Sequence, residues 1–476
     1  MHDDTIFAVA SGAGRAAIAV MRISGADSAA LLRALGGRLP APRRAGLRRL
    51  RDATGEALDH ALVLWLPGPA SYTGEDSAEL HLHGGRAVIE GVANALVELG
   101  ARPAEPGEFT RRAFLHGRMD LIEAEAVGDL VEAETSAQRA QALRQLDGAL
   151  GSIYRDWAGR LRVLLAQQEA LIDFPDEDLP PETEAVALGE LAALAREIGA
   201  HLDDGRRGER LREGLVFAVT GPPNVGKSSL VNALAERDVA IVSATPGTTR
   251  DALEARVVLG GVPVTLVDTA GLRAAQDVIE AEGVRRARAR AATADLVIVV
   301  GEAGESDVAM LQASPPPLEE GGRREGVSSL SRCVIDPSPL PWSASRPKPS
   351  RGGGEAAVGP PPLLVTNKID LGGAVPPNAI GISVRTGAGM DSLRARLAAE
   401  ARALTNTAGP PPLTRARHRA ALQTSVACLA RAADAELPEL RAEDLRLALR
   451  ALGRITGQIG VEDLLDTIFR HFCIGK

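Results

Sequence analysis

Nine residues constrain this chain more than any other stretch: Gly221-Pro222-Pro223-Asn224-Val225-Gly226-Lys227-Ser228-Ser229. An apolar run over 215–220 precedes them and a helix-like run over 230–235 follows. Strand, glycine loop and helix in that order form a phosphate cradle. Glycine lets backbone N–H groups curl around phosphate oxygens with no Cβ in the way. Lys227 supplies a point charge, the Ser228 hydroxyl a ligand for Mg²⁺, and the helix N-terminus a partial positive charge.

Later segments select the base. Asp268-Thr269-Ala270-Gly271 closes an apolar strand over 262–267, where a carboxylate behind Mg²⁺ and a glycine sensing the γ-phosphate belong. Asn367-Lys368-Ile369-Asp370 closes another over 363–366. A carboxylate at Asp370 can accept from guanine N1–H and its exocyclic amine, a pair that adenine lacks. Ser383-Val384-Arg385 would support the base from the far side. This order resembles a Ras-like G domain of the translation-factor-related class and implies GTP.

At 476 residues the chain is long enough for about three domains. A net charge of −8 argues against a general nucleic-acid coat but leaves room for one local basic face. Cys333, Cys428 and Cys473 lie too far apart for a disulfide framework or a zinc spacing. The N-terminus lacks signal-peptide character, no apolar run reaches the ~18 residues of a membrane span, and a cytoplasmic protein is expected.

The fold class expected is multidomain α/β, in four segments. Residues 1–117 read as an α/β domain, with strand-like runs at 5–10, 16–23, 61–66 and 78–83 and helices at 26–35 and 86–99. The motifs at 21–25, 71–76 and 106–114 each read singly as capped turns. Residues 118–213 show three helical runs, 122–150, 153–172 and 184–202. Their acidic break, 173–181, reads as a solvated loop, a metal site being the alternative. Residues 214–403 form the G domain, and 404–476 return to helical periodicity, so one helical domain is split by an insertion. Within the G domain, 302–362 lacks apolar periodicity and reads as a disordered insertion. Its basic run, 345–351, reads as solvated before it reads as an RNA contact.

Ser243-Ala244-Thr245-Pro246-Gly247-Thr248-Thr249-Arg250-Asp251 stands where a loop should close over the γ-phosphate, with Thr249 on Mg²⁺. Leu272 occupies the place where a Ras-type enzyme carries a water-orienting glutamine. Charge between the β- and γ-phosphates must then come from elsewhere, and Asn224, a neutral oxygen donor, could ligate a monovalent cation. Glu280 is the candidate for positioning water.

Together with the C-terminal Phe472-Cys473-Ile474-Gly475-Lys476, these segments resemble the MnmE (TrmE) family of tRNA-modification GTPases. The resemblance implies a homodimer whose N-terminal domains bind a tetrahydrofolate derivative through Arg22, Glu79 and Arg118, with Lys476 from the chain end. It implies K⁺ held by Asn224, Ser243, Thr245 and Thr248, catalysis by Glu280, and an MnmG-like FAD-dependent partner. That assembly would install an aminomethyl-type group at C5 of the wobble uridine of tRNA. Against the family pattern, Ser243 replaces a common threonine and Val384-Arg385 replaces Ala-Lys. Two other readings compete. An Era-like RNA-binding GTPase of ribosome assembly would need a Gly-x-x-Gly RNA module after the G domain, and none is visible in 415–476. A membrane iron transporter would need a spanning segment.

Overall fold

The computed structural model describes residues 4–12, 14–173, 181–237, 254–268, 293–304, 361–406, 409–459, 465, 468–470, 472 and 475. It divides into two units: Met1–Glu132, Ala142–Ala200 and Arg417–Lys476 form one, Ala133–Gln141 and His201–Ala416 the other.

The first unit carries β1 (Ile6–Val9), β2 (Ile18–Ser24), α1 (Ser28–Gly36), β3 (Gly46–Arg51), β4 (Ala57–Leu66), β5 (Ser77–His83), α2 (Arg86–Glu98) and β6 (Arg102–Pro103). The sheet runs β3-β4-β5-β2-β1-β6, antiparallel throughout except for the parallel pair β1–β6. Alternation decides its faces. Ala78, Leu80 and Leu82 of β5 and Met21 and Ile23 of β2 are buried in one cluster with Leu31, Leu32 and Leu35 of α1 and Val92 and Leu96 of α2. Arg22 and Glu79 therefore fall on the opposite face, directly across the β2–β5 ladder. Each fully buried leucine contributes about 1.5–3 kcal/mol, so a one-residue slip, which would turn this whole set outward, is strongly disfavoured.

The unit continues with α3 (Glu108–Leu115) and α4 (Leu121–Glu132), followed by α5 (Ser136–Leu146), whose first residues belong to the second unit, then α6 (Ala149–Asp173) and α7 (Pro181–Leu202). The sequence reads 122–150 as one helix; two breaks divide it. Thr135 and Gln138 cap the start of α5 reciprocally, through Gln138 N to Thr135 Oγ1 at 3.2 Å and Thr135 N to Gln138 Oε1 at 3.1 Å. Gly148, at φ +82°, sits in the turn before α6.

The second unit adds α8 (Arg207–Glu213), β7 (Leu215–Thr220), α9 (Lys227–Arg237), β8 (Glu254–Leu259), β9 (Val262–Asp268), β10 (Leu296–Glu302), β11 (Leu363–Asn367), β12 (Ala379–Gly381) and α10 (Met390–Leu404). Its sheet order is β12-β11-β10-β7-β9-β8, parallel except for the β8–β9 hairpin. The near-continuous apolar strands, with Phe217, Val219, Leu266, Ile298, Val300 and Val365 buried, match a parallel sheet covered on both faces. β10 and β11 pair in register from Ile298↔Leu363 to Glu302↔Asn367, across a stretch whose residues 305–360 lie outside those described.

After this unit the chain returns to the first through α11 (Ala416–Asp434) and α12 (Pro438–Thr456). Tyr154, Trp157 and Leu161 of α6 are buried there, as are Leu445, Ala448 and Leu452 of α12. Buried Glu125 of α4 accepts two bonds from Arg417, each of 2.7 Å.

Candidate functional site

The C-terminal edge of a parallel sheet is where loops from neighbouring strands meet, and a topological switch opens a crevice there. β7 is that switch: one neighbour, β10, lies on one side and β9 on the other. Gly221 leaves β7 so close to β10 that a Cβ would stand 2.1 Å from the Val300 carbonyl oxygen, so only glycine fits. Asn224 holds φ +65°, a left-handed conformation that asparagine tolerates better than most residues. Val225 is buried, and Gly226, at φ +92°, leads into α9, whose first residue is Lys227. The buried Lys227 ammonium donates to the carbonyls of Gly221, at 3.0 Å, and Pro222, at 2.5 Å, folding back over the loop. Ser228 donates from Oγ to the Asp268 carboxylate at the end of β9, and Ser229 follows on an exposed turn of α9.

Asn367 at the end of β11 joins this glycine loop to the loop carrying Ser383 to Arg385. Its Nδ2 donates to the Val225 carbonyl at 2.8 Å, and its Oδ1 accepts from Val384 N at 3.3 Å. Lys368, at φ +64°, pairs with Glu302 at 2.5 Å. Asp370 accepts from Ser383 Oγ at 2.6 Å and from Arg385 at 2.5 Å. The Ser383 hydrogen bond foremost, then the Arg385 guanidinium, hold the Asp370 carboxyl below its ordinary range, so it is ionised at neutral pH. Asn224 to Ser229, Asp268, Asn367, Lys368, Asp370 and Ser383 to Arg385 thus all lie at one edge of the sheet, on strand ends, the start of α9 and the connecting loops. Ser243, Ala244, Thr245, Pro246, Gly247, Thr248, Thr249, Thr269, Ala270, Gly271 and Glu280 lie outside the described residues.

A second polar cluster lies on the open face of the first unit's sheet. Arg22 pairs with Glu79 at 3.0 Å, and His81 stands 3.7 Å from the same carboxylate. The Arg22 guanidinium lies 5.2 Å from the Tyr72 ring centroid and 5.8 Å from that of Phe109. Tyr72 is one of two tyrosines in a chain with 3% aromatics, a scarcity that could have marked it in the sequence. Burial pushes its hydroxyl up, and that hydroxyl shares a 2.8 Å hydrogen bond with Thr110. The loop carrying Tyr72 is pinned by Ser24 Oγ, which bonds Thr73 Oγ1 at 2.6 Å and donates to Glu75 at 2.7 Å. Arg112 of α3 bonds Glu75, Asp4 and Glu108. Residues 108–115, read in the sequence as part of a capped turn, form this helix because Glu108 and Arg112 meet one turn apart and bury together.

Arg118 reaches the same loop from its other end: a Cβ on Gly74 would lie 3.3 Å from Arg118 Cγ. Lys476 lies outside the described residues, but Gly475 packs against the end of β1, where a Cβ would stand 2.4 Å from the Val9 carbonyl oxygen. Among the described residues no helix is long and apolar enough to cross a membrane.

Known proteins match along nearly the whole chain. A family profile for the N-terminus of the GTP-binding protein TrmE matches residues 5–118, and one for the MnmE helical domain matches 121–473. A protein of Gluconacetobacter diazotrophicus named tRNA modification GTPase MnmE is 60% identical, covering 99% of this chain and 98% of its own length. Its namesake in Granulibacter bethesdensis is 54% identical over the whole of both chains. Among solved structures, the G domain of the T. maritima FeoB iron transporter aligns with 39% of this chain and 98% of its own at 19% identity. Its TM-score of 0.19 gives that likeness no weight. By two family profiles and by identity along its full length, the chain belongs to the MnmE (TrmE) family, whose curated members are named tRNA modification GTPases.

Proposed function

We propose that this GTPase uses GTP hydrolysis to drive conformational steps in modification of the wobble uridine of tRNA, with a one-carbon unit from a folate. The observation carrying the nucleotide half is the convergence of Lys227, Ser228–Asp268, Asn367 and Asp370 on one sheet edge. The residues present fit the groups they would hold. Gly221 and Gly226 let the loop pack directly on Val300 and Asn367, where a Cβ would stand 2.1 Å from the Val300 carbonyl oxygen and 2.5 Å from Asn367 Nδ2, and Ser228 and Asp268 are hard oxygen donors of the kind Mg²⁺ takes. When bound, Mg²⁺ supplies charge neutralisation on the outer phosphates. Lys227 would exchange its carbonyl partners for phosphate oxygens, and the N–H groups opening α9 would orient them. Asp370, ionised and fixed by Ser383, would accept from guanine.

Thr249 would complete the Mg²⁺ shell, and Thr269, Ala270 and Gly271 would follow the γ-phosphate. Leu272 leaves water without a glutamine, so Glu280 would position it, and Asn224, Ser243, Thr245 and Thr248 would hold a K⁺ that supplies balancing charge in a homodimer. Arg22, Glu79, Arg118 and Lys476 would hold the folate. The carboxylate of Glu79 would meet the donor edge of the pterin, and the cations its glutamate tail. Partners are tRNA and an MnmG-like FAD-dependent protein, in the cytoplasm, and the domain limits are 1–117, 118–213, 214–403 and 404–476. GTP hydrolysis is expected to be faster in K⁺ than in Na⁺ at equal ionic strength. Equal rates in both salts refute the cation assignment.

A further inference from the structure

We infer that the edge strand β3 and the loop before it form a cationic strip that binds the phosphodiester backbone of RNA. Between Asp27 and Asp52 the sequence has no acidic residue, yet beyond Arg33 on α1 it carries six more arginines, Arg38, Arg43, Arg44, Arg48, Arg49 and Arg51, in a chain of net charge −8. β3 is the outer strand of its sheet, and Arg38, Arg43, Arg44, Arg49 and Arg51 are exposed. None of the six forms an ion pair among the described residues, whereas Arg22, Arg102, Arg112, Arg160 and Arg417 are each matched to a carboxylate. Where the strip's guanidinium groups have partners, these are uncharged carbonyls: Arg43 to Ala70 O at 2.6 Å, Arg48 to Arg38 O at 2.9 Å and Arg51 to Gly55 O at 2.7 Å. Carbonyl contacts orient the groups and leave their charge unneutralised, which is the state that attracts a polyanion.

Charged side chains also guard exposed strand edges against pairing with other chains, and that alone would explain a charge or two on β3. It does not explain a single sign extended into the loop. Nor does it explain Arg43, a non-glycine residue held at φ +59°, with its N–H bonded to the Trp65 carbonyl at 2.8 Å. That geometry anchors Arg43 to Ala70, immediately before Ser71 and the Tyr72 ring that Arg22 faces. RNA laid on the strip would thus run beside the polar cluster of the same unit. No aromatic residue interrupts 38–51, so recognition is through backbone phosphates and carries no base preference. Arginine forks suit phosphate oxygens, and the family's named role in tRNA modification selects RNA among polyanions.

The test measures binding of the full-length protein to unmodified tRNA transcript between 50 and 200 mM salt. It compares the unaltered chain with R43Q/R44Q/R49Q/R51Q and with the four corresponding lysine changes. Four phosphate contacts contribute about 3 to the slope of log K against log salt, equivalent to about 60-fold in affinity over that range. The glutamine variant should lose that slope and bind a DNA duplex equally poorly, while the lysine variant, which keeps the charge, should retain it. GTP hydrolysis without tRNA should be unchanged in both, so failure of the nucleotide reading and failure of the strip are separately visible. An unchanged slope overturns the inference. So does a loss that lysine does not restore, which marks a structural role, or binding to phosphatidylglycerol vesicles with none to tRNA.

Discussion

Asn367→Ala isolates the joint between the two halves of the proposed nucleotide site. The side chain is 4% exposed and makes two bonds, 2.8 Å to the buried Val225 carbonyl and 3.3 Å from Val384 N. Alanine leaves the Val225 carbonyl without that partner, and an orphaned buried polar group costs about 1–3 kcal/mol. The longer bond adds about 0.5–1.5 kcal/mol at most. Room opens beside Gly226, whose hypothetical Cβ would lie 2.5 Å from Asn367 Nδ2, and a water entering there would recover part of the loss. A net deficit of about 1.5–3 kcal/mol remains, and it falls on the loop that must be preorganised for phosphate. Expressed in binding, that is about 10- to 150-fold weaker GTP and GDP. Equilibrium titration with a fluorescent guanine nucleotide measures it, and a melt of the nucleotide-free protein measures how much of the change is general destabilisation. Affinity within about twofold of the unaltered protein would refute the joint, because even one net hydrogen bond of about 1 kcal/mol exceeds that factor.

Asp370→Asn should shift preference from GTP toward XTP, since the amide donates where xanthine presents a carbonyl; unchanged preference in a competition assay would show that the base is read elsewhere. Glu108 predicts acid sensitivity in the first unit. Burial opposes its charge, but Arg102 and Arg112 outweigh burial and hold the carboxyl below its ordinary 4.5. A depressed folded-state pKa gives stability that is present above 4.5 and lost as pH falls through the lower folded value, and Glu108→Gln should flatten that acid limb in a pH series of melts. Arg417→Ala removes both guanidinium bonds from Glu125, which is 2% exposed and keeps His418 Nε2 at 3.2 Å, and should destabilise the unit by about 1.5–3 kcal/mol in urea unfolding, while Arg417→Lys, keeping the charge but not the fork, should fall between.

What the sequence made legible follows from where chemistry sits relative to apolar runs. Lys227, Asp268, Asn367 and Ser383 each follow a hydrophobic strand, so period and punctuation alone place them on one edge. Arg22 and Glu79 are different: they belong to alternating strands, and only the β2–β5 register shows them opposite each other. Tyr72 and Phe109 escaped notice as partners of Arg22, because ring contacts join residues far apart in the chain and leave no local pattern. β3 escaped for a related reason. Four of its six residues are glycine or arginine, so neither β-propensity nor alternation marks it, and it forms because β4 offers a ladder. The long helix read over 122–150 divides at Thr135 and Gly148, where capping chemistry overrides a continuous helical period.

Asn367 also bears on how the nucleotide halves communicate. Its two side-chain atoms have opposite roles, donor to the Val225 carbonyl and acceptor from Val384 N, and the amide cannot turn over without breaking both bonds. Anything that draws Val225 toward phosphate therefore pulls on the same planar group that positions Val384, and binding at one loop biases the other by an equal coupling energy. The contact is short, buried and direct. Diphosphate and triphosphate should feel it alike. On the proposed reading, guanine recognition would then be a property of the sheet edge itself.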